Sequence, residues 1–171
     1  MGKPSTSANA NVDFDIANLT NIIAGFAAND RNDLVFVIEN GTEFDFEVNY
    51  KAGYGLFNDD SHGSTLKAIK FEEGGHPKAS DYELSFQANG AGCNVVLTLF
   101  CQAKNRFYFI MGATPVNKEN YFKFNGFVPI FTDEKNYSSN GFKKFTDDHF
   151  EFEISITGTS PAVCKVVIRE V

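Results

Sequence analysis

Residues 43–50 read EFDFEVNY. Phe44, Phe46, Val48 and Tyr50 fall on one side of an extended chain, and Glu43, Asp45, Glu47 and Asn49 on the other. A period of two over eight residues is the signature of a half-buried strand. Residues 150–156, FEFEISI, alternate as cleanly. Upstream, LVFVI at 34–38 is a short buried-strand run, and Asn40-Gly41 between it and 43–50 is a hairpin-turn signal. Further strand candidates are 53–57, 65–71, 81–88, 94–101, 106–113, 122–131 and 162–170. The breaks between them carry turn chemistry, among them Gly74-Gly75, Asn89-Gly90, Lys104-Asn105, Asn140-Gly141 and Gly158-Thr159. About ten short strands with frequent turns predict a mainly β protein, an antiparallel β-sandwich. No second helical pattern supplies a βαβ crossover, which excludes a doubly wound α/β fold.

One segment departs from the period of two. In residues 13–28, DFDIANLTNIIAGFAA, the residues Phe14, Ile16, Leu19, Ile22, Ile23 and Phe26 recur at helical spacing as one apolar stripe. Asp13 and Asp15 suit the first turn of a helix, where the dipole favours negative charge. The polar residues 1–11 (MGKPSTSANAN) read as a disordered arm with no apolar signal-peptide region, although Met1–Thr6 fits the pattern for N-terminal acylation. Residues 12–171 then form one sandwich domain that includes the helix.

Composition removes several function classes. With 15 Lys and Arg against 22 Asp and Glu, the net charge is −7. That balance excludes nucleic acid, whose binding rests on cations at phosphates. It also argues against simple electrostatic attraction to anionic lipid. There are 19 Phe and 6 Tyr but no Trp, and aromatic residues of this kind favour pleated, half-buried surfaces. Cys93, Cys101 and Cys164 each sit in an apolar run, which predicts buried free thiols. No run is long and apolar enough to cross a membrane as a helix.

Catalytic and metal signatures are missing from the sequence. His62, His76 and His149 lie in Asp- or Gly-rich loops without the fixed ligand spacing of zinc or calcium sites. No nucleophile elbow, paired-His motif or P-loop occurs. The chain is therefore read as a non-enzyme with no cofactor, no metal and no catalytic residue; a hydrolase with a triad assembled from distant loops is the alternative. The segment 115–131, PVNKENYFKFNGFVPIF, crowds Tyr121, Phe122, Phe124 and Phe127 beside Pro115 and Pro129. It reads either as a strand with Phe122 and Phe124 facing inward or as an exposed aromatic loop suited to a lipid interface or a sugar.

A helix, then a sandwich, then a Pro-led aromatic segment is an order that resembles the actinoporins, the pore-forming cytolysins of sea anemones. The resemblance runs through the helix from Phe14-Asp15 to Ala28, through 34–50 as an early hairpin, and through 94–125 from VVLTLF and RFYFIM to Pro115 and NYFKF. It closes with the strand 150–157. The acidic charge is closer to the aegerolysins, a related group of lipid-binding sandwiches without a comparable helix. The resemblance implies docking on a phosphocholine or sphingomyelin headgroup through Pro115, Tyr121, Phe122 and Phe124. It implies insertion of the helix through the stripe from Phe14 to Phe26 and homo-oligomeric pores on membranes. The location it implies is secreted or membrane-associated. A non-lytic module such as a glycan-binding lectin, cytoplasmic and with the helix held on the sandwich, stands as the alternative.

Overall fold

The computed structural model describes residues 34–54, 56–60, 63–71, 74–87, 92–126, 137–138 and 141–171. The arm 1–11 and the helix 13–28 expected from the sequence lie outside the described residues. Fourteen strands are present among those described: β1 (Leu34–Asn40), β2 (Phe46–Tyr54), β3 (Leu56–Asp60), β4 (Thr65–Leu66), β5 (Lys70–Phe71), β6 (Pro77–Lys78), β7 (Ser80–Gln87), β8 (Gly92–Cys101), β9 (Arg106–Pro115), β10 (Tyr121–Asn125), β11 (Tyr137–Ser138), β12 (Lys143–Thr146), β13 (Phe150–Ile156) and β14 (Ala162–Glu170). They form two six-stranded sheets and a two-stranded ribbon. The first sheet has the order β12-β13-β14-β1-β7-β3, the second β11-β10-β9-β8-β2-β4, and the ribbon is β5-β6.

The sandwich expected from the alternating patterns is observed, with two differences. β1 and β14 run parallel, Leu34 opposite Ala162 through Asn40 opposite Ile168, so the first sheet is mixed rather than antiparallel. A parallel pair needs a long crossover; here the intervening chain, with the whole second sheet, provides it. The strand count exceeds ten because the run 65–71 divides into β4 and β5, and because β11, β12 and the Pro77–Lys78 strand are too short to show a period.

Asn40-Gly41 is not a hairpin. β1 pairs with β14 and β7, whereas β2 pairs with β8 and β4 in the other sheet. Neither Asn40 nor Gly41 has the positive φ that a two-residue type I′ hairpin requires. Gly41 N–H instead continues the parallel ladder to Ile168 O at 2.8 Å. The fully buried Asn40 amide organises the corner between sheets. Its Nδ2 donates to Phe44 O at 2.7 Å and Lys67 O at 2.8 Å, and its Oδ1 accepts from Thr42 N at 3.0 Å and Thr42 Oγ1 at 2.8 Å. All four hydrogen-bonding positions of the side chain are thus used.

Between the sheets lies one apolar cluster that includes Leu34, Phe36 and Ile38 from β1, Leu97 and Leu99 from β8, and Phe150, Phe152 and Ile154 from β13. Cys93, Cys101 and Cys164 are buried thiols outside any disulfide. Phe36 and Phe86 meet edge to face at 6.2 Å. A Cβ on Gly112 of β9 would lie 2.8 Å from Phe36 Cζ, so glycine is what lets this ring reach the opposing strand.

Candidate functional site

Strand register separates the four residues assigned to docking. Pro115 and Tyr121 flank the 116–120 loop, Pro115 opposite Gly92 and Tyr121 opposite Ala113, on the outer face of the second sheet. The Asn120 amide ties this loop to the β13–β14 turn by donating to Thr157 O at 3.0 Å and Thr159 O at 3.1 Å. The tip carries exposed Val116, Asn117, Lys118 and Glu119 and no aromatic side chain. Phe122 alternates inward and is fully buried, stacked on Tyr137 at 5.2 Å. It meets no headgroup from there, which corrects its assignment. Phe124, also inward, lies two residues further along β10, toward the opposite end of the sandwich. The Phe127 region lies outside the described residues.

At that opposite end Phe124 helps line a cavity of about 220 Å³ with Tyr108, Phe145, Phe152, Thr146 and Asp147, beside Gly126. Three strands from the two sheets converge on it: β9 brings Tyr108, β10 Phe124 and β13 Phe152, while the edge strand β12 adds Phe145. The rings form a continuous wall. Phe124 stacks on Phe145 at 4.5 Å and lies 5.3 Å from Phe152, which in turn meets Tyr108 at 4.4 Å. Contacts of this kind add about 0.5–1.5 kcal/mol each beyond area burial, which holds the wall rigid.

The polar end of the cavity is a carboxylate. Tyr108 Oη–H donates to Asp147 Oδ2 at 2.5 Å, a short hydrogen bond of the charge-assisted kind. Asp147 Oδ1 accepts from His149 N at 2.8 Å and Phe150 N at 2.9 Å, closing the tight turn into β13. Burial pushes the Asp147 carboxyl up, but the hydrogen bonds from Tyr108, Phe150 and His149 outweigh it and hold the pKa below the usual carboxylate value. Burial pushes the Tyr108 phenol well up, and its bond to Asp147 and that residue's charge push it further. Near neutral pH the pair is therefore a fixed phenol donor on an ionised carboxylate. Three of the roughly four acceptor positions of Asp147 are occupied, so the carboxylate offers the cavity charge more than hydrogen-bonding capacity.

The sequence contained a trace of this site in Asp147-Asp148-His149, which reads locally as a solvated turn. Nothing local connects it to Tyr108, 39 residues away. A second apolar surface lies outside the sandwich, where Phe100, Phe107 and Phe109 stack at 4.2 and 6.2 Å, with Phe107 46% exposed. Among the described residues, no group of three or more His, Cys, Asp or Glu side chains is placed to hold a metal ion. No helix among them is long and apolar enough to cross a membrane.

No protein-family model matches the chain, and no curated protein matches it in sequence. Similarity appears at the level of structure, in the lipid-binding protein Nakanori, superposing with a TM-score of 0.62 over 91% of this chain and 79% of that one. The two share a fold. Their sequences are 11% identical, so the likeness is one of architecture. Lipid binding is what is recorded of Nakanori; what this chain shares with it is the β-sandwich.

Proposed function

We propose that this protein binds a membrane lipid by its headgroup, and that the headgroup is a choline ester such as phosphatidylcholine or sphingomyelin seated in the cavity between Phe124 and Asp147. The observation that carries the reading is the cavity's composition, aromatic rings closed by one ionised carboxylate. A quaternary ammonium is an apolar cation without N–H donors; aromatic faces and a nearby negative charge attract it, and it asks for no hydrogen bond. A sugar would need several free donors and acceptors, and Asp147 has spent most of its own. At about 220 Å³ the space is below the 300–1,000 Å³ of sites for drug-sized ligands and suits a small headgroup. The fold shared with a lipid-binding protein supports the same direction. Phe124 keeps its docking role, Tyr108, Phe145 and Asp147 join it, and Pro115 and Tyr121 serve as membrane-facing contacts elsewhere on the second sheet. No catalytic step belongs to this reading.

The test is co-sedimentation with phosphatidylcholine vesicles, with and without sphingomyelin, set against phosphatidylethanolamine vesicles, whose headgroup amine has the same charge but carries N–H donors. Preference for choline vesicles that free phosphocholine competes away is the expected result. Equal binding to both, or no effect of phosphocholine, refutes the site. Dye release in the same samples separates pore formation with an inserted, oligomeric N-terminal segment from docking alone. Elution by a free sugar with no vesicle binding would return the protein to the lectin class.

A further inference from the structure

The sheet orders place β10 and β12, which line the Asp147 cavity, toward one edge of the sandwich, and β2, β4 and β7 toward the other. At that second edge, where β4 meets β7, two further cavities open, of about 290 and 280 Å³. Ser64 lines both, and Ser80 and Asp81 of the first lead directly along β7 into Tyr82 of the second, so the two form one groove. Hydrogen bonds fix its walls. Val48 N donates to Ser64 O at 2.7 Å, Tyr82 Oη–H donates to Gly63 O, and Ser80 Oγ–H donates to Ala68 O at 2.5 Å. The groove has two unlike ends. One carries Tyr50 and Asn49; the Tyr50 ring is 40% exposed and is held by a T-shaped contact with Phe86 at 5.2 Å. The other carries Lys67 and Lys70 with Thr65 and Asp81. Among the described residues, neither lysine forms an ion pair, and the side chains of Asn49, Ser64 and Thr65 form no hydrogen bond. In a chain with 15 basic against 22 acidic residues, two exposed lysines left unpaired at one cavity mark a place for an external anion.

We propose that this groove binds an acidic sugar, a pyranose carrying a carboxylate or a sulfate, with its ring on Tyr50 and its charge at Lys67 and Lys70. The C–H face of a pyranose is slightly positive and is attracted to the negative face of an aromatic ring. Its hydroxyls need donors and acceptors together. The Ser64 and Thr65 hydroxyls and the Asn49 amide are each both, and Asp81 adds a carboxylate acceptor. The Asp147 cavity has no such set, because its one polar group is already occupied. Asp81 also sets the charge of the ligand: it opposes a dianion such as a phosphate monoester, while a single negative charge is matched by the two lysines. The joined cavities reach the range of about 300–1,000 Å³ that small-molecule sites occupy. The inference does not depend on the headgroup reading, since the two sites share no residue.

The test is a titration of the full chain with sialyllactose, galactose sulfate and lactose, followed by saturation-transfer NMR, with inorganic phosphate as competitor. At least one of the two acidic sugars should bind, and lactose, which keeps the rings but not the charge, should bind about tenfold more weakly. Lys67→Gln with Lys70→Gln should erase that preference without moving the urea midpoint, because both side chains are exposed. Tyr50→Leu keeps an apolar contact for Phe86 and should weaken acidic and neutral sugars alike. Phosphatidylethanolamine vesicles with and without a sialylated glycosphingolipid then identify the source. Co-sedimentation that requires the glycolipid supports the site with its sugar on a membrane, and binding of the soluble sugars alone supports it with a free or protein-linked glycan. No binding of either acidic sugar, equal binding of lactose, or a preference that survives the lysine pair overturns the proposal. Displacement of the sugar by phosphate at equal concentration marks an anion site only and also overturns it.

Discussion

Replacing Tyr108 with Phe removes one oxygen and leaves the aromatic wall in place. The lost interaction is the hydrogen bond from the phenol to the ionised Asp147 at 2.5 Å. Hydrogen bonds to charged groups contribute about 1.5–3 kcal/mol net. Asp147 is only half-buried, so water takes up part of the vacancy and the lower end applies, about 1.5 kcal/mol near pH 7. The pH dependence follows from the direction of the Asp147 shift. Its folded pKa is depressed, with the Tyr108 bond a main cause, so the stabilisation is present above the unfolded carboxyl value and is lost as pH falls through the lower folded one. Tyr108→Phe should therefore unfold at lower urea than the parent at pH 7 with an unchanged m-value, and the gap should narrow below about pH 4. A loss under about 0.5 kcal/mol at pH 7, or a gap as wide at pH 3 as at pH 7, would refute the pairing as an ionic one.

Asp147→Asn keeps the shape but removes the charge facing the cavity. Binding to choline vesicles should fall by roughly tenfold or more in co-sedimentation, in line with the weight of a partly desolvated cation contact. Gly112→Ala puts a methyl 2.8 Å from Phe36 Cζ in a fully packed core. It should cost about 1–3 kcal/mol by overpacking, read as a lower urea midpoint, and Gly112→Ala with Phe36→Leu should recover part of it. Asn40→Ala strips four hydrogen bonds from a buried corner, leaving Lys67 O without the amide donor and Phe44 O with the longer contact from Thr42 Oγ1 at 3.2 Å; a loss of about 3 kcal/mol or more is expected from thermal or urea unfolding, whereas a loss under about 1 kcal/mol would show that water repairs the corner.

The alternating runs carried the sandwich. FEFEISI became β13 and the run 162–170 became β14 with their inward residues buried, because a period of two on a sheet with one buried face leaves little freedom in which side chains turn inward. For 115–131 the sequence left two readings open, and the structure takes the one in which Phe122 turns inward, fully buried. Buried thiols were legible too, since each Cys sits among apolar neighbours that can only face the core. What the sequence determined, then, was the local period, the inward face of each long strand and the balance of charge. Pairing partners belonged to the tertiary structure. Asn40-Gly41 has the residues of a hairpin, yet the chain there passes from one sheet to the other, because β1 gains more by lying between β14 and β7 than by folding back on β2. Tyr108 and Asp147 are unremarkable in their own segments. They became a site only when β9 and the turn before β13 met at one end of the sandwich, and a contact across 39 residues depends on the packing of two sheets that no local spacing encodes.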